Sequence, residues 1–185
     1  MSRALPIVHG RTEVDIGTHC LEKVDLEFSN GERRCFDRLK SKGRGSVMIA
    51  ALPDPETVLL VREYGAGLHR YELGLPKGKV DAGETWEQAA GREMREELGV
   101  GAQRLTRLRA LSLAPTYMNH EIQLVVAEGL FPDRLDGDEP EPLEILPWRL
   151  DRLHELIQRE EFSEGRSIAG LFIVREWLVQ GRPAP

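Results

Sequence analysis

Between Gly78 and Val100 the chain reads GKVDAGETWEQAAGREMREELGV, with Glu93, Glu96 and Glu97 crowded behind Glu84. Residues three and four apart share one face of an α-helix, so these three carboxylates are expected on one side of about one turn. Their mutual repulsion asks for a compensating charge. An all-oxygen set suits a hard divalent ion, Mg²⁺ or Mn²⁺, which also binds phosphate oxygens; zinc would ask for His or Cys. The competing reading is a solvated helix, since Glu- and Arg-rich helices commonly carry only surface pairs at i,i+3 or i,i+4.

The elements that must position these carboxylates can be read on either side. Thr85 and Gln88 form a capping-box pattern after the turn formers Asp81-Ala82-Gly83, and Gly99 stands where a left-handed C-terminal cap belongs, so the helix starts near 84 to 85. Upstream, Val24 to Phe28 alternates, Asn30-Gly31 is a hairpin turn signal, and Arg33 to Phe36 returns as a strand. A second hairpin is predicted from Val47 to Leu52 and Thr57 to Val61 around Pro53-Asp54-Pro55. Strand patterns follow at Leu105 to Leu113 and Ile122 to Glu128, with a loop over 114–120 between them. Helical spacing recurs at Leu150, Leu153, Leu156 and Ile157, and at Ile168, Leu171, Phe172 and Leu178. Strands, helix, strands, then helices predict a mixed α/β layer fold. The acidic run 136–142 contains Pro140 and Pro142, which keep it from being helix or central strand.

The 185 residues, 41% of them hydrophobic, suffice for one substantial core. A net charge of −6 argues against nonspecific binding to nucleic acid, so a negatively charged substrate must be handled locally by metal and a few Arg. No apolar run reaches the length of a membrane span and MSRALPIVHG lacks a signal-peptide core, so a cytoplasmic protein is expected. Cys20 and Cys35 have neither CxxC spacing nor a His cluster beside them and are read as free thiols.

Spacing separates the metal reading from the solvated-helix one. The segment fits Gly, five residues, Glu, seven residues, Arg-Glu, an apolar residue, any residue, Glu-Glu, any residue, Gly, an apolar residue, at Gly78, Glu84, Arg92, Glu93, Met94, Glu96, Glu97, Gly99 and Val100. A chance match is expected at about one start site in 10⁸. This pattern is the Nudix box. The chain resembles the ADP-sugar and ADP-compound pyrophosphatase branch of the Nudix hydrolases, and within it the bacterial ADP compounds hydrolase type, with further landmarks in VREY (61–64), YELGLPKG (71–78), LAPTY (113–117) and GDEPEP (137–142).

The resemblance implies an αβα sandwich around a mixed sheet, with an N-terminal hairpin segment over 1–44 that forms a homodimer and a Nudix domain over 45–180. It implies Mg²⁺- or Mn²⁺-dependent cleavage of the diphosphate in ADP-ribose, diadenosine polyphosphates or NADH, releasing AMP. Glu93 and Glu97 become the principal metal ligands, Glu96 a direct or water-mediated one, and the main-chain oxygen of Lys77 a further one. Arg92 becomes the arginine that orients carboxylates, and Glu84 a structural member of the box. Glu141, on the acidic loop, is the implied general base, with Glu139 behind it and Glu97 as rival. Arg38, Arg62, Glu63 and Thr116 are candidate substrate contacts, with surface ion pairing the plain alternative for the charged ones. Ser112 is a further candidate, and Tyr64, Tyr117 and Phe36 are either adenine platforms or core aromatics. Two other functions stay open: a Nudix hydrolase of other nucleotides, including triphosphates or RNA 5′ ends, and a nonenzymatic nucleotide sensor, although the box glutamates are all present.

Overall fold

A computed structural model of the chain describes residues 4–17 and 19–183, so the first three residues of the 1–44 segment, which also open the stretch read for a leader, lie outside it. The chain divides into two compact units, one of Met1–Gly43 with Ser112–Glu121 and one of Arg44–Leu111 with Ile122–Pro185. In the first, β1 (Ile7–Asp15), β2 (His19–Glu27) and β3 (Arg33–Ser41) make an antiparallel sheet in that order. The Asn30-Gly31 turn closes β2 onto β3 in the register Glu27↔Arg33, as the sequence predicts. β1 was not legible: every one of its residues is exposed, so no buried face imposes a period of two on its sequence. Along β2 the inward side carries Cys20, Glu22 and Val24, and the buried Glu22 is paired with Arg38 directly across the sheet. The loop after residue 113 runs along β3, with Leu39 N–H donating to Tyr117 O at 2.7 Å and Ser41 N–H to Asn119 Oδ1 at 2.9 Å.

In the second unit β4 (Ser46–Asp54) and β5 (Thr57–Gly65) form the second expected hairpin, followed by β6 (Arg70–Gly74), β7 (Lys77–Lys79) and helix α1 (Trp86–Glu93). Then come β8 (Val100–Ser112), β9 (Glu121–Pro132), β10 (Glu144–Arg149), the short α2 (Leu153–Leu156) and α3 (Gly165–Val179). The sheet order is β10-β5-β4-β9-β8, with β6 on β5 and β7 on β4; β4 and β9 are parallel while β5, β6, β7 and β10 pair antiparallel, so the sheet is mixed. β10 escapes sequence reading because it contains Pro147, which an edge strand tolerates.

The pleat of β4 sorts the core. Val47, Ile49 and Ala51 pack with Ala89, Ala90 and Met94 of the α1 region, while Met48, Ala50 and Leu52 pack with Leu153, Leu156, Leu171 and Val174 of α2 and α3. Helices on both faces make an αβα sandwich. Each buried aliphatic side chain contributes about 1.5–3 kcal/mol, so the central strand is held firmly from two sides. α3 is capped by Glu164, whose carboxylate accepts from Arg166 N and from Ser167 N at 3.1 and 2.8 Å. The fully buried Ser167 donates to Glu164 at 2.9 Å and accepts from Leu75 N at 3.0 Å, fixing the chain just before β7. Ile49 N–H holds the next carbonyl, Pro76, at 2.8 Å.

Candidate active site

α1 starts as its sequence demands. Thr85 N donates to Gln88 Oε1 at 2.8 Å and Gln88 N to Thr85 Oγ1 at 3.3 Å, a reciprocal capping box. It ends differently. The expected α-turn through Glu96 and Glu97 is a π-turn over Met94–Leu98, closed by Gly99 (φ 69°), whose N–H donates to Met94 O. In an α-turn that N–H would have gone to Arg95, one residue on. The Arg95 carbonyl is thereby released, and it accepts from Leu135 N at 3.0 Å. Asp133 N–H donates to Gly99 O at 3.1 Å and the Asp133 carboxylate pairs with Arg95 at 3.0 Å. The wide turn thus anchors the root of the acidic loop, a link that i,i+4 spacing did not foretell.

Arg92 is the hub of the cluster. Its guanidinium donates to Glu84 at 2.9 and 3.1 Å, to Glu93 at 2.8 Å, to Glu96 at 2.9 Å and to the Lys79 carbonyl at 2.9 Å. Glu84 also accepts from Asp81 N at 3.0 Å, so it ties the loop before the helix to the hub. Gly78 faces Glu93 so closely that a Cβ there would stand 1.9 Å from the carboxylate. Only a glycine lets β7 meet the helix at this distance.

Glu97 is the electrostatically exposed member, although it is buried from solvent. Its Oε1 accepts from the Lys77 amide at 3.3 Å, while its Oε2 has no hydrogen-bond partner. Burial pushes its carboxyl up to about 8, the Lys77 charge opposing and Glu93 and Glu63 adding to the rise. Glu93 is also raised, by burial first, against the pull of Arg92 and with Glu96 and Asp138 pushing the same way. The donor set fits a hard divalent cation: all carboxylate, a buried oxygen without a partner, and an excess of negative charge that Arg92 and Lys77 do not cancel. No group of three His, Cys, Asp or Glu among the described residues stands in metal-holding geometry.

The acidic loop forms the other wall of a cleft of about 280 Å³ that Glu93, Glu96 and Glu97 line together with Arg134 and residues 135–143. Glu139 is raised by burial and by Glu63 and Asp138, with Lys77 opposing. Glu141, Glu93, Glu96 and Glu97 are therefore brought together on one cleft. Lys77 adjoins it through its amide, and its ammonium pairs with Glu63 at 2.5 Å. Arg62 is taken up by Glu144 at 2.7 Å and by Glu161, and lines a neighbouring cleft with Tyr64 and Tyr71. Arg38 and Thr116 belong to the first unit, where they share a cleft with Phe36 and Tyr117. The sequence reading passed over Arg134, Asp138 and Tyr71. A lone Arg just ahead of an acidic run was the available signal for the first; Tyr71 offered none beyond being aromatic.

The NUDIX domain family matches residues 42–170, and the NudE-type Nudix hydrolase N-terminal domain matches residues 6–38. The ADP compounds hydrolase NudE of Escherichia coli K12 is 47% identical over 163 residues, covering 88% of this chain and 87% of that protein. An ADP-ribose pyrophosphatase of Bacillus subtilis is 28% identical over 77% of each chain. A crystal structure of an ADP compounds hydrolase superposes with a TM-score of 0.89 at 43% identity, covering 99% of this chain and 100% of the other.

Proposed function

The chain belongs to the Nudix hydrolase family, and from that premise we propose that it hydrolyses the diphosphate of ADP-linked compounds such as ADP-ribose, diadenosine polyphosphates or NADH, releasing AMP and the other phosphorylated half. The observation that carries the reading is Glu97, a buried carboxylate with one unpartnered oxygen, beside a cluster that Arg92 has already fixed. The choice of ADP compounds rests on the similarity to the Escherichia coli enzyme of that name.

Glu93 and Glu97, with Glu96 and the main-chain oxygen of Lys77, would hold the divalent ion, Mg²⁺ or Mn²⁺. When bound, the ion would neutralise charge on the diphosphate oxygens and acidify a water. Arg92 aims Glu93 and Glu96 by donating to them at 2.8 and 2.9 Å, and its charge opposes the burial that raises Glu93. Glu141 takes the proton from the attacking water as its oxygen joins phosphorus and the bridging P–O bond breaks. It is preferred to Glu97 because one Glu97 oxygen accepts from the Lys77 amide and the other, buried and without a partner, would be taken up by the cation. Arg38, paired with the buried Glu22, and Thr116 line a cleft of the first unit and are its proposed substrate contacts. Arg62 and Glu63 act at one remove, Arg62 by fixing Glu144 at the end of the acidic loop and Glu63 by fixing Lys77. No helix among the described residues is long and apolar enough to cross a membrane.

We also infer a homodimer built on the 1–44 segment, whose first strand exposes Ile7, Val8 and Val14; light scattering at micromolar concentration tests it. A screen of ADP-ribose, diadenosine triphosphate, NADH and a GDP-sugar with Mg²⁺ or Mn²⁺ tests the activity. AMP from the ADP compounds is expected. Folded protein that makes no AMP from any of them refutes the reading, and tight binding without turnover would favour a sensor.

A further inference from the structure

Glu141 stands on a stretch with no helix or strand, and its side chain belongs to the walls of two clefts. One holds Glu93, Glu96 and Glu97; the other, of about 210 Å³, holds Arg62, Tyr64 and Tyr71. Between them the loop makes one side-chain tether at this residue: the Tyr71 phenol donates to Oε1 of Glu141. Tyr71 is 48% exposed, so burial does not explain its placement. Neighbouring groups set it instead. It lies on β6 directly across from Tyr64, their rings 5.8 Å apart at 66°, and Tyr64 is itself held by a 2.6 Å hydrogen bond between its hydroxyl and His69 Nδ1.

We propose that Tyr71 is a positioning residue that orients the general base Glu141. A carboxylate that must accept a proton works best with one oxygen held by a donor and the other left open, the arrangement that fixes a base through a third group. Tyr71 supplies that donor from a paired strand, whereas Pro140 and Pro142 restrict the backbone around Glu141 without fixing its side chain. The hydrogen bond to Glu141, and after it the Glu141 charge, raises the Tyr71 hydroxyl and keeps it protonated as a donor. The inference rests on the assignment of Glu141 as base.

Turnover of ADP-ribose with saturating Mg²⁺ by Tyr71→Phe, Glu141→Gln and the double variant tests it, with thermal unfolding as a check on folding. Tyr71→Phe should lower kcat about tenfold, the worth of one hydrogen bond to a charged group, and leave KM unchanged. In the Glu141→Gln background the same change should have no further effect on kcat. Wild-type kcat in Tyr71→Phe, a loss confined to KM, or an equal loss in the Glu141→Gln background overturns the positioning role. Wild-type kcat in Glu141→Gln overturns the base assignment itself, so the two failures are told apart.

Discussion

Gly78→Ala is the sharpest perturbation the site offers. The added Cβ would meet Glu93 at 1.9 Å, whereas ordinary contact begins at 3.4 Å, so the carboxylate must retreat by 3.4 − 1.9, or about 1.5 Å. Gly78 does not occupy the left-handed region, so collision is the whole effect. Retreat breaks the 2.8 Å bond from Arg92 and moves a proposed metal ligand. A displacement of about 1 Å in a positioned group costs on the order of 10²-fold in rate, and overpacking with the lost hydrogen bond costs about 1–3 kcal/mol. At about 2–4 °C per kcal/mol for a chain of this length, melting should fall by several degrees. Gly91→Ala is the matched control, because its Cβ would meet nothing within 4 Å and its place inside α1 makes alanine stabilising by about 0.5–1 kcal/mol. Kinetics on ADP-ribose and scanning calorimetry on both variants decide the matter. Wild-type kcat/KM and melting in Gly78→Ala would show that Glu93 is not held against β7 and that its geometry is immaterial.

Glu97→Gln should abolish most turnover yet stabilise the metal-free protein at alkaline pH. A carboxyl raised from 4.5 to about 8 holds its proton more tightly when folded, so its ionisation costs stability increasingly from pH 4.5 to pH 8. The cost is at most about 5 kcal/mol, so in EDTA the variant should melt above wild type at pH 8.5 and level with it near pH 4.5. Glu164 behaves oppositely: burial opposes its ionisation, but hydrogen bonds from Arg166 and Ser167 and the Arg166 charge prevail and lower its pKa below 4.5. The wild-type advantage over Glu164→Ala, about 1–2 kcal/mol by denaturant unfolding, should be full above pH 4.5 and vanish as pH falls through the lowered value. Arg92→Lys keeps the charge and loses the fork to Glu84, Glu93 and Glu96; a loss of about 3 kcal/mol in urea unfolding and at least about tenfold in kcat is expected.

The sequence made the hairpins, the start of α1, the Gly99 that closes the turn after it, and α3 readable because each has a local signature: an Asn-Gly turn, a reciprocal Thr85/Gln88 pair, a left-handed glycine, an apolar stripe. β1 and β7 were hidden for lack of one, the first having no buried face and the second only three residues. Within the site the box glutamates and Arg92 were legible as a spaced pattern. The tie between Arg95 and Leu135 was not, because it joins distant backbone groups and leaves no mark on side-chain type. Arg62 illustrates the same boundary: its position near an acidic cleft could be guessed, its neutralisation by Glu144 and Glu161 could not.

The wide turn at Met94–Leu98 makes chain length itself a structural variable. It spends one residue more than an α-turn would, and the surplus frees the Arg95 carbonyl for Leu135. Removing a single residue there would make the Gly99 N–H to Met94 O bond an ordinary i→i−4 one and take away the surplus that leaves the Arg95 carbonyl free for Leu135, so the loop wall would lose its anchor while every remaining glutamate stayed in the sequence. The interval between Glu93 and Gly99 is thus a mechanical count, and a box whose letters were all kept but whose count was changed would spell the same residues around a different cavity.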